Sequence, residues 1–300
     1  MITLVNPNLV LQQSDMFTTG VVYMPIGLAS FAGVIRNEGI KCSVIDAFGE
    51  DPNQYWIDGD YLFRGLTPSQ LTGKVSPDTE AVVLYAINLT YHRALINITQ
   101  KIHECLPKTP VIVMENTQAV TAYSLRNIMD EILDSGVDFI VTGEIEDRGI
   151  ELIKALRNSS SNDEILKIDG IGFRDNNITQ YTAPKRKIEN LDLLPLPAWD
   201  LFPLENYWKL KYAHGPFETK RYLPILTSRG CPYSCKFCVI PETNDSKWRY
   251  RSAKNVVDEM EEHFQKFNVS EFHIEDVNPT VSDKRTREIC EEIIRRGLDI

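Results

Sequence analysis

The chain alternates between short apolar runs and stretches with apolar residues at helical spacing. ITLVN at 2–6 is β-rich and ends in Asn6-Pro7. PIGLASFAGVIRNE at 25–38 predicts a helix, with Pro25 near its start and Gly39 as its stop. CSVIDAF at 42–48 predicts a strand. AVVLYAIN at 81–88 is a nearly continuous apolar run, as in a strand covered on both faces. Residues 93–105 then predict a helix, TPVIVME at 109–115 a strand, and LRNIMDEILDSG at 125–136 a helix closed by Gly136. VDFIVTGE at 137–144 predicts a strand, and GIELIKALRN at 149–158 closes the set. This alternation predicts an α/β fold with a Rossmann-like, doubly wound parallel sheet. Residues 50–80 break the pattern and read as an insertion or a long loop.

SSSND at 159–163 marks a boundary by composition. A short β piece, GIGFRDNNITQY, follows at 170–181, and then a Pro-rich segment, LDLLPLPAWDLFPLENYW, at 191–208. Its prolines predict an extended linker between two bodies, with Trp199, Tyr207 and Trp208 packing between domains or walling a ligand. YLPILTSR, from 222, is a new strand that leads into a cysteine-rich loop. SAKNVVDEMEEHFQKF at 252–267 predicts a helix with a Ser N-cap, EFHIEDVN at 271–278 a strand, and 283–296 a helix. The acidic stretch DEMEE at 258–262 reads as that helix's solvent face. The predicted domains are thus residues 1–160, a linker over 161–215, and a second unit over 216–300. Two strand–helix units are fewer than a closed parallel barrel needs, so the second unit reads as the N-terminal part of a truncated barrel.

A formal net charge of -10 gives no bulk attraction to nucleic acid or to an anionic membrane. No apolar run reaches the roughly 18 residues of a membrane span. The N-terminus lacks a signal-peptide pattern, so the expected location is cytoplasmic. Six cysteines in 300 residues do not make a disulfide scaffold. Cys42, Cys105 and Cys290 lie singly in apolar patterns and read as small buried hydrophobes.

Cys231, Cys235 and Cys238 are different. They form C-x3-C-x2-C within TSRGCPYSCKFCVIPE, 227–242. Three thiolates on one loop can hold three irons of a cubane cluster, which leaves the fourth without a protein ligand. A Cys3His zinc site and chance clustering are the alternatives; for zinc, His214, His263 and His273 lack the short spacing of a zinc knuckle or finger. The G-x-G-x-x-G fingerprint is absent, which disfavours a dinucleotide in the first unit. Candidate ligand contacts there lie at the C-terminal strand ends: Asn6, Asn88, Thr90, Glu115, Asn116, Gly143 and Glu144. Arg249, Tyr250 and Arg251 read either as cofactor or substrate contacts or as a solvated basic turn.

RGCPYSCKFC resembles the signature of radical S-adenosylmethionine (SAM) enzymes. The resemblance implies that Cys231, Cys235 and Cys238 hold a [4Fe–4S] cluster and that SAM chelates the open iron. Reductive cleavage of SAM would then give a 5′-deoxyadenosyl radical, with the electron from a donor such as flavodoxin or ferredoxin. It puts Phe237 near the adenine. It also puts Glu275 or Asp276, with Asn278 behind them, near the methionine moiety; as plain loop residues these acids would instead cap the following turn. The order of parts, with GE-x-E at 143–146 and LPLPAWDLFPLENYW before the cysteines, resembles radical SAM enzymes with an N-terminal cobalamin-binding domain. That resemblance implies cobalamin and, most commonly, methyl transfer to an unactivated carbon, or a related cyclisation or rearrangement. The D-x-H-x-x-G loop that gives cobalt a histidine is missing, since residues 1–91 contain no His, and ENTQ at 115–118 replaces a common glycine pair. The rivals are a methylthiotransferase, which would need a further cysteine set in the first unit, and a non-catalytic cobalamin- or metal-binding sensor. The substrate is not legible.

Overall fold

The computed structural model of the chain describes residues 1–14, 20–87, 92–117, 125–211, 218–219 and 221–300. Asn88, Thr90 and His214 lie outside these residues. Strand β1 (Ile2–Asn6) is buried along its whole length and is followed by β2 (Leu9–Gln12). Helix α1 (Ile26–Asn37) buries Leu28, Phe31, Ala32 and Ile35, and Gly39, at a positive φ of 69°, turns the chain into β3 (Cys42–Asp46).

The segment predicted as a loop has structure of its own. After α2 (Ala47–Glu50), strands β4 (Tyr55–Asp58) and β5 (Tyr61–Arg64) form a hairpin that pairs with β2 into a three-stranded antiparallel sheet. Trp56 stacks on Phe63 at 5.1 Å between centroids, an aromatic pair that alternation counting over so short a strand misses. Helix α3 (Pro68–Thr72) follows with a Thr67 capping box.

The main sheet continues through β6 (Ala81–Ala86), α4 (His92–Cys105), β7 (Val111–Glu115), α5 (Met129–Asp134), β8 (Phe139–Val141) and α6 (Ile145–Arg157). Strands β3, β1, β6, β7 and β8 are parallel neighbours in that order. Their C-terminal ends therefore share one edge, where an open α/β sheet takes its ligands. Beyond α7 (Asn162–Ile165), strands β9 (Ile171–Asp175) and β10 (Ile178–Tyr181) extend this sheet antiparallel from β8.

The Pro-rich segment does not run free between two bodies. Its Ala198 N–H donates to the Ala29 carbonyl of α1 at 2.9 Å. Gly33 has no room for a side chain, because an added Cβ would lie 2.2 Å from the Leu196 carbonyl oxygen. Trp199 is fully buried, and α8 (Leu204–Leu210) buries Tyr207. Proline blocks long ladders but leaves short turns free to carry aromatic anchors into a core.

The second unit begins with β11 (Tyr222–Ile225) and β12 (Ser228–Arg229), followed by the cysteine loop, α9 (Ile240–Asn244) and β13 (Arg249–Tyr250). Helix α10 (Ala253–Phe267) starts at Ser252, whose side chain accepts the Asn255 N–H, as predicted. Strand β14 (Glu271–Ile274) pairs parallel with β11, and α11 (Asp283–Arg296) packs against α10. This strand–helix–strand–helix order is the beginning of a (β/α) barrel. The DEMEE stretch is not a solvent face: Glu259 and Met260 are buried. Glu259 pairs with Arg251 at 2.6 Å, which keeps its charge compensated inside the unit. No helix among the described residues is long and apolar enough to cross a membrane.

Candidate functional site

Two groups of residues meet where the C-terminal ends of the two sheets face one another. The first is the cysteine loop. It leaves β12 through Gly230, whose φ is 78° and where an added Cβ would lie 2.0 Å from the Lys247 carbonyl oxygen, so only glycine passes this turn. Cys231 and Cys238 are partly exposed, Cys235 is exposed, and none is in a disulfide. The Cys238 N–H donates to the Cys235 carbonyl at 3.1 Å. Among the described residues, no three His, Cys, Asp or Glu side chains gather closely enough to hold a metal ion. The loop thus carries three sulfurs free of disulfides. The donor set itself, three soft thiols on one accessible loop, fits an iron–sulfur cluster.

Strand β14 meets this loop from the side. Asp276 accepts from the Thr227 N–H at 2.6 Å, and from the hydroxyls of Thr227 and Ser228, each at 2.5 Å. The Glu275 N–H donates to the Ile225 carbonyl at 3.0 Å, so it extends the β11–β14 pairing. Asn278 turns its amide toward the Cys231 sulfur at 3.9 Å. Phe237 stands out in solvent, 86% exposed. Of the residues named from IEDVN, Asp276 and Asn278 thus contact the chain that leads into the cysteine loop.

The second group lines the C-terminal edge of the main sheet. Tyr85, Glu115, Asn116, Gly143, Glu144 and Arg229 contribute to one crevice there. Glu115 accepts the Gly143 N–H at 2.6 Å and the Leu125 N–H at 3.1 Å, tying together the loops after β7 and β8. Burial pushes its carboxyl above the ordinary value, against the pull of those N–H groups. Asn116 donates to the Ile87 carbonyl at 3.0 Å. Asn6 is remote in character: it donates to Asp46 at 2.7 Å inside a closed cluster completed by the Tyr207 hydroxyl, also 2.7 Å from Asp46. Burial raises the Asp46 carboxyl to about 6, although Asn6, Gly49 and Tyr207 all donate to it. Helix α8 thus closes the sheet edge at β1 and β3, and the open part of that edge lies over β6 to β8.

The two groups are joined by charges that sequence reading left undecided. Arg229 and Arg249 pair directly across the β12–β13 ladder, so their side chains share a face. Arg249 forms an ion pair with Glu144, with a second hydrogen bond at 3.0 Å. Arg229 pairs with Glu146 and lies 3.7 Å from Glu144. All four are buried. Burial alone would raise the Glu144 carboxyl, but Arg229 and Arg249 outweigh it and hold it below the ordinary value. Burial likewise opposes the Arg229 charge, and Glu146 and Glu144 outweigh it. Arg249 is therefore neither solvated nor free for a ligand, whereas Tyr250 beside it is half exposed. The signal that could have revealed this was the pairing of two acids at 144 and 146 with two arginines at 229 and 249, equal in number and opposite in sign.

Of the other cysteines, Cys42 is half-buried, but Cys105 and Cys290 are exposed, contrary to the expectation of buried hydrophobes. Cys42 begins β3 and Cys105 ends α4, so neither joins the cysteine loop. His263 is buried against Glu259, 3.5 Å away, on α10.

Residues 225–300 match the family model of the Radical SAM superfamily. An uncharacterised methyltransferase of Pyrococcus horikoshii is 27% identical over 281 residues, covering 94% of this chain and 54% of that protein. The anaerobic magnesium-protoporphyrin IX monomethyl ester cyclase of Synechocystis is 28% identical over 278 residues, covering 92% of this chain and 50% of its own length. The chain therefore spans about half the length of these curated relatives. The radical SAM methyltransferase TsrM of Kitasatospora setae, solved with cobalamin and a [4Fe–4S] cluster bound, superposes with a TM-score of 0.68 at 17% identity, over 98% of this chain and 52% of TsrM. The fold is that of a Rossmann-like sheet followed by the start of a radical SAM barrel.

Proposed function

We propose that this chain, which carries a radical SAM segment and the order of parts of the cobalamin-binding members of that family, belongs to a cobalamin-dependent radical SAM enzyme. Residues 1–160 would form the cobalamin-binding unit and 216–300 the radical SAM unit. The linker, 161–215, would supply β9, β10 and α8. The observation that carries the reading is the meeting of a three-thiol loop with the open edge of a parallel sheet, in a chain whose matches include methyltransferases.

Cys231, Cys235 and Cys238 would hold the [4Fe–4S] cluster. Phe237, Glu275, Asp276 and Asn278 would surround SAM, with Asp276 acting through Thr227 and Ser228, since its oxygens are engaged there. Glu115, Asn116, Gly143 and Glu144 would form the floor and wall of the corrinoid crevice; Asn6, Asn88 and Thr90 are further proposed contacts, of which Asn88 and Thr90 lie outside the described residues. When bound, the cluster supplies an electron for reductive cleavage of SAM and the corrinoid supplies a methyl group. The residues of the chain position these groups and exclude water. Methyl transfer to an unactivated carbon is the favoured reaction, and the match to the Synechocystis cyclase supports ring formation as the second. An electron donor such as flavodoxin or ferredoxin and a cytoplasmic location complete the reading.

The test is anaerobic reconstitution with iron and sulfide, followed by addition of SAM, a strong reductant and hydroxocobalamin. The reading expects 5′-deoxyadenosine to form and a corrinoid to stay with the protein after desalting. A protein that does neither would contradict it.

A further inference from the structure

Arg229 belongs to two structures at once. It is two residues from Cys231, at the end of β12, and it lines the crevice shared by Tyr85, Glu115 and Gly143. Its guanidinium is held by Glu146 and lies 3.7 Å from Glu144, both at the N-terminal end of α6, which follows directly on the crevice loop after β8. Its ladder partner Arg249 is fixed to the same Glu144 and to the Ile188 carbonyl at 2.6 Å. Gly230, packed against the Lys247 backbone, is the single residue between Arg229 and the first cysteine.

Buried ions in such a cluster do not shift singly. Moving one leaves an uncompensated charge in a low-dielectric site, so the four groups keep or lose their arrangement together. A ligand pressed against Arg229 and Glu146 from the crevice therefore acts on the same element that sets the start of the cysteine loop.

We propose that Arg229 is a positioning residue that couples occupancy of the crevice to order in the cysteine loop through its pair with Glu146. Cluster assembly then fixes β12 and prearranges the crevice wall, so a corrinoid binds more tightly to the cluster-loaded chain. By linkage a bound corrinoid favours the cluster equally. This rests on the function proposed above.

The experiment is a visible titration of the full chain with hydroxocobalamin under anaerobic conditions, with and without the reconstituted cluster. The wild type should bind at least about fivefold more tightly when loaded, the low end of typical coupling. In Glu146→Gln, which leaves Glu144 to both arginines, the two affinities should agree within about twofold, the level at which coupling is no longer resolved from the range above. Arg229→Lys keeps the charge but not the planar fork, and should lose most of the coupling too; it serves where Glu146→Gln fails to fold. A general loss of stability would weaken both affinities alike and leave their ratio intact. Equal affinities in the wild type, or an undiminished ratio in the variants, would overturn the coupling while leaving the function standing. Absence of any corrinoid binding, in either form, would overturn both.

Discussion

Asp276 accepts the main-chain N–H of Thr227 at 2.6 Å and thereby fastens the end of β14 to the chain as it leaves β11 toward the cysteines. The hydroxyls of Thr227 and Ser228 both donate to the other oxygen of the same carboxylate. Asp276→Ala would leave these donors without their acceptor in a partly buried place. The expected loss of stability is about 1–3 kcal/mol, read by chemical denaturation. The same variant should retain less iron after reconstitution, because the loop would start from a looser base. Unchanged stability would show that the three hydrogen bonds are not holding the strand ends.

Glu144→Gln should be among the more damaging single changes away from the cysteines. It removes the charge that compensates Arg249 and part of that facing Arg229. Breaking a buried pair by removing one partner costs about 3–5 kcal/mol. The Glu144 carboxyl sits below its ordinary value in the folded chain. Its contribution is therefore present above the unfolded value and lost as pH falls through the folded one, so the penalty should shrink in acid. A midpoint within about 0.5 kcal/mol of wild type, the range of ordinary surface changes, would contradict the buried placement.

Asp46 predicts the opposite pH behaviour. Its folded value is about 6 against an ordinary 3.8, so the folded state holds the proton more tightly than the unfolded one. That advantage is complete below the unfolded value and is lost as pH rises through about 6. The wild type should thus lose up to about 3 kcal/mol between pH 4 and pH 7 that Asp46→Asn does not lose. Parallel pH profiles for the two proteins would rule this out.

How the linker sits is tested by Gly33→Ala. The added methyl would meet the Leu196 carbonyl oxygen at 2.2 Å. Overpacking of this kind costs about 1–3 kcal/mol. The buried Trp199, three residues after Leu196, gives the readout, a change in its fluorescence together with a lower melting temperature. Retention of both wild-type values would mean that the linker does not lie against α1.

Much of the parallel sheet was legible because buried strands read as continuous apolar runs, as in 81–86 and 111–115. The Ser252 cap and the cysteine spacing were legible for the same reason: each is a local pattern with a local cause. What could not be read depends on distant partners. The β4–β5 hairpin is stabilised by pairing with β2, some 50 residues earlier. Glu259 looks like a solvent residue until Arg251 and His263 are seen beside it. Arg229 and Arg249 look like a basic turn until Glu144 and Glu146, at the start of α6, neutralise them. Trp199 and Tyr207 sit among prolines that suggest an extended chain, yet both are fully buried. In each case the sequence around the residue is silent about the group that decides its role.

The central claim is that Cys231, Cys235 and Cys238 leave one iron of a cluster open to SAM. Electron paramagnetic resonance of the reduced, anaerobically reconstituted chain tests it most directly, before and after SAM is added. The account predicts a [4Fe–4S] signal that changes when SAM is added and that is lost in Cys235→Ala. A signal indifferent to SAM, or a protein that carries one fully ligated zinc in place of iron, would contradict it.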